Sequence, residues 1–181
     1  YEAWMELKSK IVAHGIKEVC EEAAYTWFNR MIAIRIMQKN HFIEPVMEYV
    51  NDESRVPVIV AQARAGRITI PLKASVAESL NRLLADPTRI DEQFKLLIEA
   101  FCESNPVIFN CFGGIEKFVS ILLPDNILSK GGFVDLLNST SYLTDEDYTK
   151  SELIGWLYQF YISEKKDEVF ASKAKVAKED I

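Results

Sequence analysis

From Glu18 to Asn40 the sequence reads EVCEEAAYTWFNRMIAIRIMQKN, with apolar residues at 19, 23, 24, 25, 27, 28, 31, 32, 33, 34, 36 and 37. Wound as a helix, these positions cover far more than the roughly 100° apolar stripe of an ordinary surface helix. A helix of this kind has to be enclosed by others, which directs the whole chain toward a multi-helix core. Asn29, Arg30 and Arg35 interrupt the apolar run. Each must find a partner or reach water by extending its stem.

The rest of the composition fits that constraint. A chain of 181 residues, 49% hydrophobic and 27% charged, is the right size for one domain with a substantial core. Its 27 acidic residues outnumber 21 basic ones, for a net charge of -6. The chain as a whole therefore has no electrostatic pull toward nucleic acid, and any DNA contact needs a local basic patch. Cys20, Cys102 and Cys111 form no CxxC pair, and with only His14 and His41 beside them no zinc-ligand spacing arises. Free, buried thiols in a reducing cytoplasm are expected. No apolar run approaches the roughly 18 residues of a membrane span, and YEAWMELKSK lacks a signal-peptide layout. The expectation is a soluble, cytoplasmic protein without membrane partners. The opening without methionine and the charged end KAKVAKEDI read as the borders of an excised piece.

Taken in order, residues 2 to 13 place Trp4, Leu7, Ile11 and Val12 on one helical face, and Gly15 stops that helix. A short helix started by Pro45 and ended by Asn51 and Asp52 follows the central one. Val56 to Val60 and Arg67 to Ile70 are rich in β-branched residues but broken by Pro57 and Pro71, so this stretch reads as irregular, with one short hairpin possible around Ala65-Gly66. Val76, Leu80, Leu83 and Leu84 restore helical spacing until Asp86-Pro87. Thr88 or Asp91 is expected to cap a helix whose face is Phe94, Leu97, Ile98 and Phe101. A loop from Asn105-Pro106 through Gly113-Gly114, a short helix ending at Pro124, and one more amphipathic helix lead to the acidic turn Thr144-Asp145-Glu146-Asp147. Ser151-Glu152 then caps a last helix that turns Leu153, Trp156, Leu157, Phe160 and Tyr161 inward. With no internal repeat, the fold class is all-α, a single irregular multi-helix domain.

Several short motifs invite chemistry. An adenine-N6 methyltransferase needs a glycine-rich turn after a strand for S-adenosylmethionine, and an Asx-Pro-Pro-aromatic loop to read a flipped base. Asn105-Pro106-Val107-Ile108 lacks the second proline and the aromatic, and Phe112-Gly113-Gly114 follows no long strand. Both read as turns between helices. Asp145, Glu146 and Asp147 lack the glycine and distal glutamate of a calcium loop and read as a solvated turn. His14 and His41 read as helix C-terminal residues with no nucleophile linked to either. The aromatic groups at Tyr25, Trp27 and Phe28 and at Trp156, Tyr158, Phe160 and Tyr161 are suited to base stacking or, more simply, to a core.

AYTWFNRMIAIRIM at 24 to 37, LLADPTRI, LLPDNIL, the block IGWLYQFYISEKKDEVFA at 154 to 171 and the final KEDI together are similar, in this order, to the N-terminal region of the large adenine-specific DNA methyltransferases of bacterial phage-defence systems (BREX, PglX-type). The stretches 51 to 71 and 105 to 118 carry none of the likeness. The resemblance implies a helical N-terminal domain over 1 to 171, with 172 to 181 leading toward a catalytic domain. It implies a parent that methylates adenine N6 in DNA with S-adenosylmethionine, while this piece binds no cofactor, holds no metal and is catalytically silent. Its role would be to brace the catalytic domain, or to contact DNA or another defence-system protein. Arg30, Arg35, Lys165 and Lys166 are the candidate DNA or domain contacts. The lysine pair follows a helix end where cations are favoured, and either meets phosphate or pairs with Glu164, Asp167 and Glu168. The alternative is a stand-alone helical module for protein interaction. An independent small enzyme is disfavoured by the lack of any convergent set of ionisable groups.

Overall fold

A computed structural model describes residues 1 to 51 and 53 to 150, together with 152, 153, 155, 156 and 159. Residues 1 to 141 form one compact unit and those from 142 onward a second. The first unit is all-α, with eight helices among the described residues: α1 (Glu2–His14), α2 (Ile16–Lys39), α3 (Val58–Arg64), α4 (Ala74–Leu84), α5 (Ile90–Ser104), α6 (Pro106–Phe112), α7 (Lys117–Ile121) and α8 (Phe133–Ser139). Two long helices organise it. α2 meets α1, α6 and α7, whereas α5 meets α3, α4 and α6, so α6 bridges the two hubs.

The long apolar run is enclosed along most of its length, as its pattern requires, and α5 is enclosed too. Val19, Ala23, Trp27, Met31 and Ile34 of α2 are buried, and Phe94, Leu97, Ile98 and Phe101 of α5 likewise. Gly15 separates α1 from α2 at φ 84, a left-handed backbone that suits glycine. α1 departs from expectation on its face: Leu7 is buried, but Trp4 is 66% and Val12 80% exposed. α1 packs against α7 and α2, leaving Trp4 and Val12 on the side that faces solvent.

The stretch from His41 to Ile70 corrects three expectations. The segment after Pro45 forms bends and one isolated antiparallel bridge, Tyr49 to Pro57, in place of a helix. Its carbonyls serve the next helix instead, since Glu48 O accepts from Val58 N at 2.8 Å and Val46 O from Ile59 N at 3.1 Å. These are two of the donors that the start of α3 leaves without intrahelical partners. The N-cap of α3 is Pro57, which has no side-chain acceptor, so backbone supplies the cap. Valine and isoleucine at 58 to 60 are then helical despite their strand composition, because Ile59 and Val60 are buried. Ala65-Gly66 makes no hairpin. Arg67 N donates to Gln62 O and Gly66 N to Ala63 O, with Gly66 at φ 73, the double closure of a Schellman helix end.

Asn105-Pro106 likewise opens a helix where a loop was expected. Asn105 Oδ1 accepts from Val107 N at 3.0 Å and Ile108 N at 3.1 Å, and Pro106 takes the first helical position. Neither Thr88 nor Asp91 caps α5, whose N-cap is Arg89. Thr88 is held instead by Asp86, which accepts from its amide at 2.9 Å and its hydroxyl at 2.6 Å.

In the second unit, Asp147 closes the acidic turn: it accepts from Thr144 N and Oγ1 and from Lys150 Nζ. A 3-10 turn, Asp147–Thr149, follows. Glu152, Leu153, Gly155, Trp156 and Gln159 are helical. Leu153 is buried, but Trp156, expected inward, is 59% exposed. Leu157, Phe160, Tyr161, the lysine pair Lys165 and Lys166, and the boundary at 171 lie outside the described residues.

Candidate functional site

The two arginines that break the apolar run of α2 do the same thing at two places. Arg30, only 4% exposed, sends Nη2 to the carbonyls of Phe112 at 2.9 Å, Gly113 at 3.1 Å and Gly114 at 3.3 Å, while Nη1 turns back to Thr26 O at 3.1 Å. Its guanidinium also lies 5.4 Å from the centre of the Phe112 ring. These carbonyls form the C-terminal end of α6, where the helix dipole is negative and acceptors have no intrahelical donor. Burial lowers the Arg30 pKa from its ordinary value, opposed in part by the neighbouring Cys102. Arginine still remains charged, since its intrinsic pKa is above about 12.

Arg35, 6% exposed, does this for α8. Nη2 donates to Leu137 O at 3.2 Å, and Nη1 to Asn138 Oδ1 at 3.3 Å and Glu48 Oε1 at 3.1 Å. Lys39 Nζ shares the same Glu48 oxygen at 2.7 Å. Asn138 completes the knot by donating to Met47 O and Val134 O, both at 2.9 Å. α5 repeats the device once more through Gln93, fully buried, whose Nε2 donates to Leu83 O and Asp86 O at the end of α4. Its Oε1 accepts from Arg64 Nε at 2.9 Å.

Two of the first unit's open cavities lie beside the hub helices. One, of about 550 Å³, runs between α4 and α5 beside Glu99, Glu103 and Lys73. Burial pushes the Glu99 carboxyl up, and Ser120 Oγ donating at 2.6 Å pulls it partly back. The other, of about 540 Å³, is an apolar groove between the first half of α2 and the segment 122 to 133. Cys20, Ala24, Trp27 and Phe28 form one wall, Ile127 and Phe133 part of the other. Trp27 is fixed there by its Nε1 donating to Val119 O at 2.9 Å, and the Phe28 and Phe133 rings lie 5.6 Å apart. The far wall is shaped by Gly132, where a Cβ would come within 2.5 Å of Asn126 O and 2.6 Å of Ile127 O. Gly131 beside it has φ 78.

The segments nearest in type to cofactor-binding motifs are helix caps. Asn105 Oδ1 is taken up by two backbone donors, and the Phe112-Gly113-Gly114 carbonyls by Arg30. This donor set does not fit S-adenosylmethionine. Among the described residues no three His, Cys, Asp or Glu side chains gather as a metal group would, and no helix is long and apolar enough to cross a membrane. Of the three thiols expected to be buried, only Cys102 is; burial pushes it up to about 12, while Cys20 and Cys111 are exposed. The caps were the functional detail that sequence reading missed. Asn-Pro at 105-106 and Gly at 113 carried the signal, since asparagine before proline and glycine after the last turn mark helix ends.

The comparison with known proteins follows the sequence likeness rather than any site. Over 178 residues, 89% of the chain, it is 29% identical to the adenine-specific methyltransferase BrxX of Escherichia coli O9:H4 (strain HS). Over 172 residues, 88% of the chain, it is 28% identical to the adenine-specific methyltransferase PglX of Lacticaseibacillus casei (strain Zhang). The chain is similar to adenine-specific methyltransferases. The resemblance read from AYTWFNRMIAIRIM and the blocks after it thus extends over most of its length. The matched residues make up 13% of BrxX and 14% of PglX, so the chain spans about one seventh of the length of the curated relatives it matches. No family model matches the chain, and no solved structure matches it.

Proposed function

We propose that this chain is the N-terminal helical domain of a longer, S-adenosylmethionine-dependent DNA adenine-N6 methyltransferase of a phage-defence system, and that it braces the catalytic domain. The likeness to BrxX and PglX over nearly nine-tenths of the chain carries the reading. Two features support a bracing role over a catalytic one. The polar groups of the two motif-like segments are engaged as helix caps. Arg30 and Arg35 hold short helices onto α2 from buried positions, so as domain contacts they act by fixing the framework rather than by meeting phosphate. The net charge of -6 also gives no general attraction to DNA.

Lys165 and Lys166 are our proposed point of DNA contact. Replacing both by glutamate in the longer protein should weaken DNA binding and flatten its salt dependence by roughly one unit per lost phosphate contact. An unchanged affinity and slope would remove them from the interface. For the reading as a whole, the longer protein incubated with DNA and S-adenosylmethionine should yield N6-methyladenine. A longer protein that neither binds S-adenosylmethionine nor transfers a methyl group would leave the stand-alone interaction module as the better reading.

A further inference from the structure

We draw no further inference here: the strongest candidate, the apolar groove between the first half of α2 and residues 122 to 133, is an unpartnered apolar face, and nothing in the structure shows what covers it.

Discussion

Arg30 carries more of the structure than its position in an apolar run suggests. A buried guanidinium is costly where its donors go unmet; here three carbonyls at the end of α6 and one within α2 take up the two Nη groups, while the buried Nε finds no acceptor among the described residues. Arg30→Ala strands those acceptors in a dry environment. Urea denaturation should show a loss of roughly 3 kcal/mol, from unsatisfied buried carbonyls at about 1–3 kcal/mol each with partial relaxation. Arg30→Lys should recover only part of this, because an ammonium cannot span carbonyls arranged for a planar fork. A lysine variant as stable as the wild type would contradict the capping role. Cys102 offers a second test at this scale. Its burial and a pKa pushed up to about 12 predict that it resists alkylation at pH 8 in the folded protein, while exposed Cys111 reacts.

Helices shorter than about 12 residues are marginal by themselves, and α3, α6, α7 and α8 are all seven residues or fewer. They persist because other elements meet their ends: residues 46 to 48 at the start of α3, Arg30 at the end of α6, Trp27 Nε1 at the Val119 carbonyl of α7 and Arg35 at the end of α8. Asn105→Ala, which removes a cap of two backbone donors, should cost about 1 kcal/mol. Gly132→Ala should cost more, since its Cβ would meet backbone oxygens that cannot swing aside; equal stability of the two variants in thermal unfolding would contradict this. The long helices were legible because α2 and α5 bury whole faces at helical spacing. The short ones were not: valine and isoleucine at 58 to 60 follow their burial and not their propensity, and the partners that cap these helices lie up to about a hundred residues away in sequence. The groove was illegible for the same reason, as its two walls are far apart in the chain. In the second unit, Asp147 is held well below the usual carboxylate range by the Lys150 hydrogen bond first, then by the Thr144 amide and hydroxyl. A depressed carboxylate contributes above its unfolded pKa and loses that contribution as pH falls through its folded value. The Thr144 amide signal should therefore titrate with a midpoint clearly below about 3.9, and a midpoint at or above that value would show that the turn is not closed by this carboxylate.

At the scale of the whole molecule, a first unit built on two hub helices, with Arg30, Arg35 and Gln93 committed to the ends of neighbouring helices, is suited to holding position. In the function proposed above, this chain serves as a framework in a methyltransferase whose chemistry is done elsewhere. The most direct test uses the longer protein and radiolabelled S-adenosylmethionine, cross-linked by ultraviolet light and mapped by peptide. A framework role predicts label only in peptides beyond Ile181, with none in the Asn105 to Gly114 segment. Label within residues 1 to 181 would contradict it.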